Sequence, residues 1–92
     1  MLSGFNSDHP YRGRIFHVQT EDNGQRRPQV ITHVFLDGVV VTSVKSDYSD
    51  RVEAPGLSDR IRQLMERQHE AMLQRLQRGD WDELIRTRCG SR

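Results

Sequence analysis

The pattern of hydrophobic and polar residues divides the chain into two halves of different character. Residues 1–56 contain short runs of β-branched and aromatic residues separated by glycine, proline and asparagine, which is the pattern of antiparallel strands joined by turns. Residues 57–88 are rich in leucine, methionine, glutamine, glutamate and arginine, all of which favour helix. The pattern therefore predicts a single α+β domain, with residues 89–92 as a frayed tail.

Three segments of the first half have the composition of strands, and they are residues 14–20, 30–36 and 39–45. Asp37 and Gly38 lie between the last two segments and are typical of a two-residue type I′ hairpin, in which both central residues take positive φ. Residues 1–13 are polar and interrupted, and we expect them to add at most a short fourth edge strand. The predicted sheet is thus an antiparallel meander of three or four strands.

Residues 58–77 contain no glycine, proline, valine or threonine, and their composition predicts one long helix. We expect Ser58 to cap the start of this helix and Gly79 to end it in the left-handed conformation. Asp80, followed three residues later by Glu83, has the spacing of a capping box, which predicts a short second helix at the C-terminus.

One side of the long helix is apolar. At about 100° per residue the apolar side chains form one stripe, which predicts contact with the sheet. Only 34% of the 92 residues are hydrophobic, and so small a core commonly gains apolar area by self-association. We therefore expect the stripe to extend into a homodimer interface, the alternative being that all of it is core within one chain. Its residues are Leu57, Ile61, Leu64, Met65, Ala71, Met72 and Leu76. All of them except Ala71 are the candidate interaction residues.

An arginine ridge, formed by Arg60, Arg67 and Arg78, follows one margin of this stripe. Guanidinium groups pair equally well with carboxylates of a protein and with phosphates, although long arginine stems also simply cover the edge of a buried face. The leading hypothesis is a small non-enzymatic interaction or regulatory module that binds itself and an unidentified protein. The alternative is a small nucleic-acid-binding protein, for which a net charge of +1 supplies little attraction beyond the ridge.

His17 and His33 come closest to a chemical site. If the loop between their strands spans residues 22–28, the two imidazoles lie opposite each other on one sheet face, with Thr42 opposite His33. Zinc needs three or four ligands, and the conceivable additions are Glu21 and His69. We therefore expect these histidines to bind no metal, and the chain to need no cofactor.

The chain lacks a glycine-rich phosphate loop, an HExxH motif, a CxxC motif and a serine elbow. The single cysteine, Cys89, falls in the expected frayed end, away from the ordered surroundings that activate a thiol. We therefore expect no catalytic residue and no enzyme activity. Because one cysteine forms no internal disulfide, and no segment approaches the roughly 18 apolar residues of a membrane span, we expect a cytoplasmic protein without membrane contact.

Three segments together resemble a family of short uncharacterised bacterial proteins, and they are YRGRIFHVQTEDNG at 11–24, VITHVFLDG at 30–38 and LMERQHEAML at 64–73. The resemblance covers most of the chain, and its most distinctive part is the strand that contains HVQTED. It implies a bacterial, cytosolic protein of one domain. It implies no activity, cofactor or binding residue.

Overall fold

The computed structural model describes residues 3–53 and 55–90 and has the predicted α+β fold. Four antiparallel strands lie in the sheet in the order of the sequence, so the sheet is a simple meander. Ser91 and Arg92 of the predicted tail lie outside the described residues. The elements are β1 (Phe5–Tyr11), β2 (Arg14–Asp22), β3 (Gln29–Leu36), β4 (Val39–Asp47), a 3₁₀ turn (Ser49–Arg51), α1 (Leu57–Arg78) and α2 (Asp82–Cys89).

β1 is a regular edge strand of seven residues, longer than the sequence indicates. It joins β2 through Arg12 and Gly13, whose φ angles are 50° and 76°. The predicted hairpin at Asp37 and Gly38 is confirmed, with φ angles of 51° and 79°. Both turns are of the tight kind that matches the twist of antiparallel strands. The first was missed because arginine rarely takes positive φ and gives no turn signal.

The pairing of β2 with β3 differs by two residues from the expected one. His17 lies opposite Phe35, and His33 lies opposite Gln19, so the prediction that the two histidines face each other is wrong. The reason is that β2 continues to Asp22, which moves the hairpin loop towards β3. A shift by an even number of residues leaves each side chain on its original face. Both imidazoles therefore still share one side of the sheet.

The ladder between β3 and β4 contains a β-bulge. The two-residue turn alone would pair His33 with Thr42, but the bulge makes His33 pair with Ser43. The extra residue is Val41, whose side chain is completely buried. The bulge therefore directs an additional apolar side chain into the core. The alternation of polar and apolar residues along β4 does not predict this bulge.

The core lies between the sheet and the helices and has two parts. α1 packs mainly on β1, β2 and β3, whereas α2 packs mainly on β4. No helix in the described ranges has the length and apolar composition needed to cross a bilayer. The large cluster, beneath the C-terminal half of α1, contains Tyr11, Phe16, Val18, Val34, Leu36, Val41, Met72, Leu76, Trp81 and Ile85, and the small cluster, beneath its N-terminal half, contains Val30, Tyr48, Ile61 and Met65.

The two ends of α1 differ in how they are capped. Gly79 ends the helix with a φ of 84°, as predicted, and its N–H donates to the carbonyl of Leu76 at 3.1 Å. The predicted cap at Ser58 is wrong, because the N-cap is Gly56, two residues earlier, and Ser58 is already helical. No side chain caps this start by a hydrogen bond.

The predicted capping box of α2 does not form. The helix begins at Asp82, with Trp81 as its N-cap and no capping side chain. The Asp80 carboxylate instead accepts hydrogen bonds from Arg78 at 2.7 Å and from Arg75 at 3.3 Å. Two nearby guanidinium groups thus outcompete the backbone N–H groups of the next helix, and the spacing of the acidic residues does not reveal this competition.

Candidate functional site

The apolar stripe of α1 lies mostly against the sheet of the same chain. Four of its members are at most 5% exposed, and they are Ile61, Met65, Met72 and Leu76. Ala71 is exposed, so its assignment to the stripe was wrong. Leu57 and Leu64 are half-buried and keep some surface. A contact of the stripe with a partner therefore stays a prediction for Leu57 and Leu64, since the other four side chains are already covered within the chain.

A polar belt, formed by Gln68, His69 and the side chains that bind them, separates the two apolar clusters. The Gln68 amide donates to Thr32 Oγ1 at 2.9 Å and to the carbonyls of Val44 and Val30 at 3.2 and 3.3 Å. The hydroxyl of Ser46 donates to the amide oxygen of Gln68. One glutamine thus fastens the middle of α1 to both β3 and β4.

His69 extends the belt to β1 and β2. Its Nδ1 lies 2.8 Å from Thr20 Oγ1, its Nε2 lies 2.8 Å from Ser7 Oγ, and Thr20 Oγ1 lies 2.6 Å from Thr32 Oγ1. Thr32 Oγ1 accepts a hydrogen bond from Gln68, so its own proton is directed to Thr20 Oγ1. The Thr20 proton is then directed to His69 Nδ1, and each of these buried hydroxyl protons has an acceptor. This direction makes the imidazole neutral, with Nε2–H donating to Ser7. Burial, which lowers the pKa of His69, favours the same neutral form.

The contact of Ser7 with His69 has the distance of a nucleophile and its general base, but not the direction. A base must accept the serine proton, whereas this imidazole donates to the hydroxyl. Its other nitrogen meets a threonine and not a carboxylate. The belt therefore holds the helix on the sheet. The available signal in the sequence was Gln68, a polar residue four positions from both Leu64 and Met72 on the apolar stripe.

The other face of the sheet, here called the open face, has no element packed on it within the described residues. One row across its four strands consists of Asp8, His17, Phe35 and Val40. Ile15 beside this row is 67% exposed, and Val40 is 38% exposed. Exposed apolar side chains thus lie towards the end of the sheet that carries the Asp37–Gly38 turn.

The two histidines of the open face flank one phenyl ring. The centroid of Phe35 lies 6.3 Å from that of His17 and 5.7 Å from that of His33. His17 Nδ1 is 2.8 Å from the Asp8 carboxylate, and His33 Nδ1 is 2.6 Å from Ser43 Oγ. Each imidazole therefore has its own partner across the strands, with Phe35 between them.

The third ligand considered for these histidines is not assembled. His69 is buried beneath α1, on the other side of the sheet. Across residues 3–53 and 55–90, no three histidine, cysteine, aspartate or glutamate side chains gather as a metal site. Cys89 is half-buried and belongs to α2, not to a frayed end.

The predicted arginine ridge divides into two groups. Arg78 donates to Asp80 at 2.7 Å, and this hydrogen bond holds the pKa of Asp80 below its ordinary value. Arg60 and Arg67 make no ion pair within the described part of the chain. The ridge therefore supplies two unpaired cations and one that is already neutralised.

Arg51 of the 3₁₀ turn lies beside Arg60 and Arg67, the two arginines of the ridge without an ion pair. The three guanidinium side chains surround an open groove of about 440 Å³, here called the arginine groove. Arg51 itself has only a long contact of 3.8 Å with Asp50. The residues that line the arginine groove are Arg51, Gly56, Asp59, Arg60, Gln63 and Arg67.

A second concavity, of about 270 Å³, lies at the opposite end of the molecule beside Tyr11 and Phe16. Three arginines line it too, but each has a partner. Arg12 pairs with Asp82 at 3.5 Å, Arg86 pairs with Glu83, and Arg14 donates to carbonyls at the end of α2. The guanidinium groups that line this concavity are thus already paired with acceptors of the same chain.

No protein-family model, curated protein or solved structure matches the chain. The resemblance to short bacterial proteins therefore stays a prediction. The two surfaces that the fold leaves unsatisfied, the open face and the arginine groove, are the basis on which function is proposed.

Proposed function

We propose that the protein is a non-enzymatic interaction module that forms a homodimer through the open face of its sheet. The observation that carries this proposal is the apolar patch around Phe35, in which Ile15 is 67% exposed and Val40 is 38% exposed. Contiguous apolar side chains on a sheet surface gain free energy when another surface covers them. The helix stripe has no comparable area to offer.

The distribution of charge on the open face supports an interface. Its fixed charges lie around the apolar patch, with Asp8 on one edge strand, Glu21 near the end of the central strand β2, and Lys45 and Asp47 near the end of the other edge strand. An apolar centre with a polar rim is the usual anatomy of a protein–protein contact. A surface intended for nucleic acid would carry an excess of positive charge.

The size of the open face supports a weak and reversible dimer. Four strands of seven to nine residues span about 19 Å by about 25 Å at ordinary strand spacing and rise. Standard interfaces bury about 800 Å² on each partner. The open face has a flat area of roughly 475 Å² at this spacing and falls short of that size even when all of it is covered, so we expect dissociation in the micromolar range or weaker.

The register supports a second copy of this chain as the occupant. His17 and Phe35 lie directly opposite each other on the two central strands. A two-fold axis that runs between these strands would place each His17 over the partner's Phe35. The same patch then serves both subunits, which is the requirement for a symmetric dimer.

The test is light scattering coupled to size exclusion, at protein concentrations from about 1 to 500 μM, a range that brackets micromolar association. At the upper end we expect twice the chain mass of 10.8 kDa. Ile15→Lys should give the monomer mass, whereas the matched control Ala71→Lys, at an exposed position of α1, should behave as the wild type. A monomer mass throughout contradicts the proposal, as does an unchanged dimer in Ile15→Lys.

Nucleic-acid binding is the second candidate function, because Arg60 and Arg67 lack ion pairs and lie beside Arg51. Three phosphate contacts would give a salt slope of only about −2.7 on duplex DNA. We therefore expect no duplex binding tighter than about 10⁻⁴ to 10⁻⁶ M at physiological salt. Nanomolar binding in a mobility-shift assay, lost in Arg67→Glu, would make this the leading function.

A further inference from the structure

We infer that the arginine groove is a binding site for a small phosphate-bearing anion with at least two negative charges, and we choose diphosphate as the probe. The groove lies beside the N-terminal half of α1, and none of the residues that line it belongs to the open face. The inference therefore stands or falls separately from the proposed homodimer.

The first step is the gathering of like charges. Arg60, Gln63 and Arg67 follow each other at helical spacing on one side of α1, and Arg51 meets them from the 3₁₀ turn. Positive charges around one cleft raise each other's energy, and an anion between them lowers it. In the described chain, neither Arg60 nor Arg67 has an acidic partner that would supply this relief.

The second step is a comparison with arginines elsewhere in the molecule. Arg75 and Arg78 near the end of α1 and Arg86 on α2 are paired with carboxylates. Arg88 on α2 donates to the carbonyl of Val40. Acidic residues are as available to the N-terminal half of α1 as to its C-terminal half, since Asp59, Glu66 and Glu70 all belong to the same helix. Arg26, Arg27 and Arg62 also make no ion pair within the described residues. What distinguishes the groove is therefore that three arginines gather around one cleft.

The third step is the charge that the ligand must carry. Three guanidinium groups and the single carboxylate of Asp59 line the groove, which leaves two positive charges among the lining residues. Asp50, 3.8 Å from Arg51, offsets them only in part because both side chains are exposed to solvent. A phosphate monoester or a diphosphate supplies at least two negative charges, whereas a carboxylate supplies one. Guanidinium groups also donate paired hydrogen bonds that match phosphate oxygens. The charge balance and the donor geometry both favour a phosphate group.

The fourth step is the shape of the site. The groove has a volume of about 440 Å³, and no aromatic side chain lines it. A base would therefore find no ring to stack on, which disfavours nucleic acid. Gln63 supplies a further N–H donor, and the start of α1, where no side chain caps the helix, adds a positive potential at the same end. The lining is suited to the phosphate part of a ligand.

The test is isothermal titration of the full chain with sodium diphosphate at constant ionic strength. We expect binding in the micromolar to low millimolar range, and a loss of at least tenfold in Arg60→Gln and in Arg67→Gln. The matched control is Arg86→Gln, which removes the same charge from the other concavity and should change the affinity less than twofold. Far-UV circular dichroism confirms that the variants are folded.

A second pair of variants tests whether Asp59 limits the affinity. Asp59→Asn should strengthen diphosphate binding severalfold, whereas Glu70→Gln, with the same change in charge at an exposed position on α1, should not. Equal effects in the two members of either pair would reduce the binding to general electrostatics and overturn the inference. The inference would also be overturned if millimolar diphosphate released no heat of binding. It would be overturned too if duplex DNA bound more tightly than diphosphate and this binding were lost in Arg67→Gln. Ile15→Lys should bind diphosphate as the wild type does, which separates this result from that of the dimer test.

Discussion

The C-terminal end of α1 is covered and neutralised by its neighbours, whereas the N-terminal end leaves its arginines and its first turn unsatisfied. Asp80 accepts hydrogen bonds from Arg75 and Arg78, and the Arg75 guanidinium lies 4.8 Å from the ring centroid of Trp81. At the other end, no side chain caps the helix and Arg60 makes no ion pair in the described chain. Both ends belong to one helix, so the difference comes from what surrounds them.

The apolar packing differs in the same direction. Ten buried residues form the cluster beneath the C-terminal half of α1, and four form the one beneath its N-terminal half. In the smaller cluster the Tyr48 hydroxyl donates to the Asp22 carboxylate at 2.6 Å, and burial together with this bond raises the pKa of Tyr48. Apolar packing, and with it stability, is thus concentrated at the C-terminal end of α1. The N-terminal end, which contributes less to stability, can carry a binding site.

The largest expected effect comes from apolar truncation at the two ends. Leu76→Ala, in the large cluster and completely buried, should lower the free energy of unfolding by about 3 to 5 kcal/mol. Leu64→Ala makes the same change at the half-buried position near the start of α1, and should cost about 1 kcal/mol because less apolar area is lost. Urea denaturation measures both. Equal losses would contradict the concentration of stability at the C-terminal end.

The polar belt between the two ends gives the next largest effect. Thr32→Val keeps the side-chain shape but removes the hydroxyl that binds Gln68 and Thr20. We expect a loss of about 1 to 3 kcal/mol, since buried polar groups are left without partners. Thr42→Val, on the same sheet but outside the belt, is the control. A double-mutant cycle with Thr20→Val should then show coupling, and strict additivity would argue against a connected network.

The two glycine caps give a matched pair of smaller effects. Both are left-handed, with φ of 84° at Gly79 and 69° at Gly56, so alanine is strained at either by about 1 kcal/mol. A Cβ atom at Gly79 would also lie 2.9 Å from the Asp82 carboxylate and 3.1 Å from the Tyr11 hydroxyl, whereas one at Gly56 would meet nothing within 4 Å. Thermal unfolding should rank Gly79→Ala as clearly the less stable variant. The reverse order would contradict the assignment of the covered end.

The mildest effect is expected from pH, acting at the middle of α1. The pKa of His69 is lowered by burial from its ordinary 6.5, so below about pH 6.5 the unfolded chain binds more protons than the folded one. The stability contributed by neutral His69 is complete above this pH and is lost as pH falls towards the lower folded value. Urea titrations at pH 7.5 and pH 5.5 should show this loss in the wild type. His69→Gln should lose that component, and an unchanged pH dependence in this variant would contradict the neutral assignment.

Local chemistry explains which elements were predictable from the sequence. The strands β2 to β4 and both helices follow from residue type and periodicity, because β-branched alternation and helix-forming runs act within a few residues. Asp37 with Gly38 and the left-handed Gly79 likewise follow from what the backbone of single residues permits. β1 was less visible, since Arg12 occupies a turn position that the sequence marks only through Gly13.

Contacts between distant residues were decided by the tertiary structure. The register that puts His17 opposite Phe35 depends on how the loop before Gln29 closes, and the composition of the two strands fits more than one pairing. The separation of Arg78 from Arg60 and Arg67 depends on Asp80, which lies beyond the helix. The elements and the apolar side of α1 thus follow from local residue preferences. Which polar groups are satisfied, and which stay open to a partner or an anion, was decided only in three dimensions, because hydrogen bonds and ion pairs act over a few ångströms between residues far apart in the chain.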